Sequence, residues 1–266
     1  MAMAHSAQSA TDRHDIPIRK IGLHDLRVAL RQGWDDFLDR RGDLILIGVI
    51  YPIGVFFAVL FAFKISILPI VFPLFAGSAL LGPVVATGYY EIARRRENHI
   101  DARWSHFFDV IKGPSGFGIF SLSTVLFLLF VVWVLAAYAI YLATMGKVPP
   151  DTVRTAGDFI RSVFATSEGL RMLTIGNLTG MGFALVALSI SICSFPMLVD
   201  KPVKWTTALR TSVRVAWANP FATIAWGFAV TALLVLGAIP AFIGLAVVLP
   251  VLGYSTWHLY TRAVVR

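Results

Sequence analysis

Six long stretches of this sequence contain no Asp, Glu, Lys or Arg, and this limits the chain more than any other feature. Each is about 20 residues or longer, the length of helix that crosses the hydrocarbon core of a bilayer. The chain is 57% hydrophobic and only 14% charged, against about 25% charged residues in a soluble domain. We therefore predict an all-α, polytopic membrane protein with six transmembrane helices. The predicted spans are residues 44–63, 67–89, 117–142, 172–199, 220–239 and 241–260.

The spacing between the spans favours three helical hairpins. A three-residue break, Lys64-Ile65-Ser66, separates the first two spans. Pro69, Pro73 and Pro83 predict that the second span is kinked or broken. A charged segment whose apolar residues recur at helical spacing precedes each pair of spans. The predicted architecture is thus three hairpins, each preceded by a cytoplasmic amphipathic helix.

This order of segments suggests a threefold repeat. Trp34, Trp104 and Trp205 fall on the apolar sides of the three predicted amphipathic helices. The alternative is that any six-span chain with basic loops would show the same order. The predicted organisation is a flexible cytoplasmic tail and a single transmembrane domain containing three repeats. The tail is residues 1–18, the domain is 19–266, and the repeats are 19–97, 98–199 and 200–266.

Lysine and arginine are distributed unevenly about the spans. With six spans both termini lie on one side, and 18 of the 23 basic residues fall on that side. Because basic residues are retained on the cytoplasmic side, we predict cytoplasmic N- and C-termini. The same basic segments predict contact with anionic lipid headgroups on the cytoplasmic side, which is a better interpretation than nucleic-acid binding.

The spans contain few residues of the kinds that indicate transport, cofactor binding or catalysis. None has a charged residue near its middle, which argues against ion-coupled transport through a buried carboxylate. Five of the six histidines lie outside the spans and His258 lies at the end of the last one, so a membrane haem site is not expected. Zinc, serine-hydrolase and nucleotide motifs are also missing. We predict no catalytic residues, no cofactor and no metal site.

The fourth span contains small and polar residues that predict helix packing. Gly176, Gly180 and Ala184 recur every four residues, a spacing that lets two helix backbones approach closely. Asn177 lies beside this stripe, and its side chain is expected to form a hydrogen bond across it. Further along the span the hydroxyl groups of three serines are expected to bond to carbonyls of their own helix. These are Ser189, Ser191 and Ser194.

Polar and aromatic residues gather where three predicted spans end on the cytoplasmic side. One interpretation is an aromatic belt at the membrane surface, with Glu91 and Asp200 paired to nearby arginines. The other is a single cluster built from the three span ends. The candidate cluster comprises Tyr90, Glu91, Arg94, Asp200, Lys201, Tyr254, Trp257 and His258.

The same stretches resemble a domain-of-unknown-function family of bacterial integral membrane proteins. The resemblance rests on GYYEIARRRE at 88–97, FPMLVDK at 195–201, Asn219-Pro220, PVLGY at 250–254 and WHLY at 257–260, and extends over about residues 20–265. It implies location in a bacterial inner membrane. Some members are labelled cytochrome c oxidase subunit I, but haem-copper chemistry needs several histidines within the membrane, which this sequence lacks.

We therefore predict a non-enzymatic inner-membrane protein that acts as an accessory or structural component. Its expected partners are membrane lipids and another membrane protein or further copies of itself. The alternative is a passive channel or small-solute transporter along the hairpin bundle. A third hypothesis is an enzyme that acts on lipid at the cytoplasmic face through Glu91, Asp200 or His258.

Overall fold

A computed structural model describes residues 16–39, 68–147, 156–240 and 242–266. Within these residues the chain is helical, apart from loops and one isolated antiparallel bridge between Ile18 and Val264. The helices are α1 (23–39), α2 (Leu68–Ser78), α3 (Gly82–Glu97), α4 (Asp109–Lys112), α5 (Gly116–Thr144), α6 (Ala156–Ala165), α7 (Ser167–Ser191), α8 (Ser194–Asp200), α9 (Trp205–Ala218), α10 (Pro220–Ala238) and α11 (Leu245–Ala263). Short 3-10 turns occupy Ala79–Leu81, Trp104–Phe108 and Met145–Lys147.

Four helical stretches among the described residues are long and apolar enough to cross a membrane. They are Phe72–Glu97, Gly116–Thr144, Ser167–Asp200 and Pro220–Ala238. They overlap the second to fifth predicted spans. The first predicted span, 44–63, lies outside the described residues. The sixth predicted span corresponds to α11. This helix is not one of the four, and it ends in a polar sequence that includes His258 and Arg262.

Proline interrupts the second predicted span, as its sequence indicates. The span consists of α2, the 3-10 turn Ala79–Leu81 and α3. Pro83 lies in the first turn of α3, where proline is tolerated because its missing N–H would have no partner within the helix. The predicted irregularity is thus present as a 3-10 turn, and the helical path continues through it from Phe72 to Glu97.

The spans present apolar side chains outward. In the most apolar 18 residues of α5, only 11% is buried within the protein, and in the corresponding stretch of α10 only 22% is buried. Phe120 of α5 and Phe228 of α10 are 70% and 67% exposed. A surface of this kind is suited to lipid, where exposed apolar side chains carry no cost.

Five helices meet at one end of the bundle. There α3 ends with Glu97, α8 ends with Asp200 and α11 ends beside Arg262. α5 and α10 begin at this end, since Gly118 contacts Leu198 and the residue before α10, Asn219, contacts Ile21. We call this the polar end of the bundle. α1, α9 and the 104–112 segment are packed around it.

The buried core lies close to the polar end. Two glycines allow α11 to pack closely against its neighbours: a Cβ added to Gly253 would lie 2.7 Å from Tyr89 Cβ of α3, and one added to Gly33 of α1 would lie 2.6 Å from the Ser255 backbone nitrogen. Any larger residue would push these helices apart. Tyr90, Tyr254 and Trp257 fill the space between them and are at most 2% exposed.

The chain termini meet beside this core. Arg19 N–H donates to Ala263 O at 2.8 Å, and Val265 N–H donates to Pro17 O at 3.0 Å. Of the predicted tail, 1–18, the first fifteen residues lie outside the described part of the chain. Asn219 joins the same region to the α9–α10 corner, because its Oδ1 accepts the Ile21 N–H at 2.9 Å and its Nδ2 donates to Arg19 O at 3.3 Å.

A side chain from α9 closes a break in the fourth predicted span. The helix is interrupted between α7 and α8, at residues 192–193. Pro196 has no N–H with which to continue the hydrogen-bond pattern across the break. The buried Ser212 hydroxyl accepts the Cys193 N–H at 3.1 Å and donates to Ser189 O at 2.8 Å. It thereby satisfies a donor and an acceptor on the two sides of the break.

The neighbouring serines follow the simpler predicted pattern. Ser189, Ser191 and Ser194 donate their hydroxyl hydrogens to carbonyls four residues earlier, over 2.6–2.7 Å. The prediction that these hydroxyls bond to their own helix is confirmed. Ser212 is different because both of its hydrogen bonds cross between helices.

Replacing Ser212 with alanine should destabilise the protein. Ser212→Ala leaves the Cys193 N–H without its acceptor, and we expect the free energy of unfolding to fall by about 1–2 kcal/mol. The measurement is thermal unfolding of the purified protein in detergent. Ser189→Ala is the matched control, since its hydroxyl bonds only within α7, and it should leave Tm within about 1 °C of wild type. Equal losses in the two variants would contradict the role of Ser212.

Candidate functional site

Glu91 lies on α3 among the ends of the core helices and is only 4% exposed. Arg94 donates to both of its carboxylate oxygens, at 2.9 and 2.8 Å, and Arg95 Nε donates to Oε1 at 2.7 Å. A carboxylate this deeply buried requires charged donors to compensate for lost hydration. The predicted pairing of Glu91 with nearby arginines is confirmed.

Arg95 connects this pair to the 104–112 segment. Its Nη2 donates to Asp109 Oδ2 at 3.1 Å, and its Nη1 donates to Asp101 O at 3.1 Å. His106 Nδ1 lies 2.7 Å from the same Asp109 oxygen. The hydrogen bond with His106, aided by the positive charge of Arg95, lowers the pKa of the Asp109 carboxyl group. This segment is thus held to α3 through a chain of ionic contacts.

Asp200, at the end of α8, is the centre of a second group of contacts. Tyr260 OH donates to its Oδ2 at 2.8 Å, and Arg266 donates to its two oxygens at 3.0 and 2.8 Å. Arg266 also pairs with Glu97, and its guanidinium carbon lies 5.4 Å from the centre of the Trp257 ring. One arginine therefore links the ends of α3, α8 and α11.

His258 belongs to a third group, which holds α1 to the bundle. Its Nε2 lies 2.8 Å from Asp36 Oδ2, and Arg96 of α3 lies 3.0 Å from Asp36 Oδ1. Arg96 also pairs with Asp39. Asp36 on α1 thus receives contacts from both α3 and α11.

The structure brings the three predicted span ends together. It divides the residues of the predicted cluster among the groups of contacts around Glu91, Asp200 and Asp36. Asp200 and Trp257 share Arg266, whereas His258 faces Asp36 and Lys201 donates to Val265 O at 3.2 Å. Tyr90 and Tyr254 lie in the core below them. The residues that sequence reasoning missed are the linkers between groups. They are Asp36, Arg95, Arg96, Glu97, Tyr260 and Arg266.

The predicted packing stripe of the fourth span contacts little within this chain. A Cβ on Gly180 would lie 3.1 Å from the Trp133 ring, but Gly176 has no atom within 4 Å of that position. Asn177 Nδ2 donates at 2.8 Å to Leu173 O of its own helix rather than across to another helix, and Asn177 and Ala184 are exposed. The expected hydrogen bond of Asn177 across the stripe is therefore not formed within the described part of the chain.

In residues 16–39, 68–147, 156–240 and 242–266, no group of three or more His, Cys, Asp or Glu side chains is placed to hold a metal ion. His106 with Asp101 and Asp109 comes closest to such a group, and its members are engaged by Arg95 and Arg103. The arrangement is one of ion pairs between helices.

Comparison with known proteins agrees with a membrane location. Residues 71–200, from α2 to the end of α8, match the family described as "Predicted integral membrane protein (DUF2189)". The predicted family resemblance is confirmed over this region, which includes Glu91, Arg94 and Asp200. A search of the curated proteins and a search of the solved structures each found no match to the chain.

Removing the Glu91 carboxylate should destabilise the polar end strongly. Glu91→Gln leaves two partly buried guanidinium groups beside a neutral side chain, and we expect a loss of about 3 kcal/mol in unfolding free energy. The measurement is thermal unfolding in detergent. Glu168→Gln is the control, because Glu168 lies exposed at the opposite end of the bundle. An unchanged Tm for Glu91→Gln would show that the ion pairs do not hold the polar end.

The contribution of Asp109 should disappear in acid. A carboxyl group whose pKa is lower in the folded chain than in the unfolded chain stabilises the fold only while deprotonated. Its contribution is complete above about pH 4 and is lost as the pH falls through the folded-state pKa. The Tm difference between wild type and Asp109→Asn should therefore shrink between pH 6 and pH 3. A difference that stays constant or grows would contradict this assignment.

Proposed function

We propose that this protein is a non-enzymatic component of the bacterial inner membrane that supports another membrane complex. In this proposal six spans form three hairpins, and the polar end and both termini lie in the cytoplasm. The asymmetry of lysine and arginine supports the orientation, with 18 of 23 on the proposed cytoplasmic side. The outward apolar faces of α5 and α10 support the membrane location.

The pairing of the polar end is the observation that carries this proposal. An enzyme acting on lipid at this face would need Glu91, Asp200 or His258 as an acid or base. Glu91 is held by two arginines, Asp200 by Arg266 and Tyr260, and His258 by Asp36. The contacts of Asp200 and His258 join separate helices, and Arg95 extends the Glu91 pair to Asp109 of the 104–112 segment. They therefore account for these polar residues as links in a scaffold.

A scaffold of this kind suits an accessory role. At the polar end, α1, α9 and the 104–112 segment have exposed surfaces. Ion pairs hold the helix ends against which these three elements pack. The exposed stripe with Gly176 and Asn177 supplies a second surface, at membrane depth, on which another span can pack. A membrane-protein partner, or another copy of this chain, is therefore part of the proposal.

An exchange of two side chains can separate a structural role from a catalytic one. Asp36→His and His258→Asp should each loosen α1 and lower Tm, while the two changes together restore an imidazole–carboxylate pair at the same place. We expect the double variant to recover at least half of the lost Tm and to restore the cellular phenotype of a deletion strain. Recovery of Tm without recovery of the phenotype would favour an enzymatic histidine and contradict the proposal.

The accessory role itself is tested by isolation from the native membrane. Tagged wild-type protein, expressed at its natural level and extracted in mild detergent, should co-purify with one membrane partner at constant stoichiometry. Gly176→Leu is the matched probe, because nothing within the chain lies near that position. It should reduce co-purification without lowering Tm. A lone protein that carries a specific solute into liposomes would instead show the channel or transporter function.

A further inference from the structure

Two arginines of α1 differ from the other arginines around them. Arg94, Arg95, Arg96, Arg262 and Arg266 are all engaged in ion pairs at the polar end. Arg27 and Arg31 are exposed, and neither guanidinium has an ion pair or hydrogen bond to any part of the chain that the structure describes. Their charge is left available to a partner outside the chain.

Large apolar side chains share the exposed surface with these arginines. Leu23, Trp34 and Leu38 are 66%, 45% and 39% exposed. At 3.6 residues per turn, they and Arg27 fall within about 60° of one another around the helix, with Arg31 beside them. We call this set, Leu23, Arg27, Arg31, Trp34 and Leu38, the outer face of α1.

The other sides of α1 are already occupied. Leu26, Ala29 and Phe37 are buried against the bundle. Asp25 and Asp36 form the ionic contacts to Arg262 and to His258 and Arg96. Because these carboxylates are neutralised by their partners, the outer face keeps its positive charge, with exposed Asp35 at its edge.

A second corner at the polar end has the same composition. Trp217 and Phe221, at the α9–α10 junction, are 80% and 86% exposed. Arg210 is exposed on the same side of α9 as Trp217, about two turns earlier. Phe221 begins the outward apolar surface of α10, a span long enough to cross the membrane. Aromatic side chains and arginines together, at the level where a span begins, are typical of the membrane–water interface.

We propose that the outer face of α1 is a binding site for anionic phospholipid headgroups. Leu23, Trp34 and Leu38 enter the boundary between headgroups and acyl chains, and Arg27 and Arg31 bind headgroup phosphates through paired N–H donors. This inference rests on the proposed placement of the polar end at the cytoplasmic leaflet, which carries the anionic lipids. Lipid binding then stabilises α1 in its position against α11.

The site can be tested with the full-length protein in uncharged detergent micelles. The protein is titrated with phosphatidylglycerol, phosphatidylcholine or inorganic phosphate, and Tm is measured at each concentration. The concentration that gives half of the maximal rise in Tm measures the affinity. We expect phosphatidylglycerol to raise Tm most, inorganic phosphate to have no effect at the same concentrations, and 0.5 M salt to weaken the lipid effect.

The variant Arg27→Gln/Arg31→Gln should bind phosphatidylglycerol about 30-fold more weakly, about fivefold for each arginine. Arg161→Gln/Arg171→Gln is the matched control, because it removes two exposed arginines from the opposite end of the bundle. Its half-maximal concentration should stay within twofold of wild type. Without lipid, both double variants should unfold at the wild-type Tm, which shows that they are folded.

Several results would overturn this inference. They are equal stabilisation by the two lipids, an equal loss in the two double variants, or an effect of inorganic phosphate that matches that of lipid. If Arg27→Gln/Arg31→Gln binds lipid normally but loses the co-purifying protein, the outer face docks that protein instead. Failure to find any protein partner would count against the accessory function and leave the lipid result unaffected.

Discussion

Ionic contacts at the polar end join the helices of this protein. Packing between spans in lipid gains little from the hydrophobic effect, because lipid tails are as apolar as the side chains they replace. The outward faces of α5 and α10 show how much of the spans is left to lipid. At the polar end, in contrast, Arg266 links three helix ends and Asp36 links α1 to two of them. The positions of the other elements around this end follow from those links.

A second constraint acts on the backbone. In the apolar part of a membrane each N–H and C=O group needs a partner within the protein. Near the polar end, a polar side chain completes the backbone hydrogen bonds at each of two interruptions between helices. Ser212 completes the hydrogen bonds at the α7–α8 interruption, and Asn219 does so between α9, α10 and the segment before α1. The charged contacts are thus supported by neutral ones immediately beneath them.

The sequence predicted the second to fifth spans because their signal is local. An uncharged run ends where charged residues begin, so the limits of α5 and α10 agree with the prediction to within two residues. The pairing of Glu91 was also predictable, since Arg94 and Arg95 are one helical turn away. The α7–α8 break had a local signal in Pro196, but the side chain that closes it comes from another helix.

The contacts of the polar end depend on residues far apart in the chain. Asp36 and His258 are separated by 222 residues, and Glu97 and Arg266 by 169. Charge and helical spacing show that each residue lies near a span end, but they do not show which charges meet. For the same reason the predicted cluster contained the correct helix ends without the residues that link them. The predicted hydrogen bond of Asn177 across the stripe was wrong because its exposed side chain donates to Leu173 O, one turn earlier in the same helix.

The bridge between Ile18 and Val264 has a consequence for the order in which the protein is completed during synthesis. Its N-terminal segment and α1 are made before the spans, whereas their partners on α11 are made after them. While the spans are being made, therefore, Asp25 and Asp36 of α1 lack Arg262 and His258. The contact can close only after α11 is in place. A chain in which α11 is misplaced leaves Asp25 without Arg262 and Asp36 without His258, so that, of the ion pairs that the structure describes, only those with Arg96 of α3 hold α1 to the bundle.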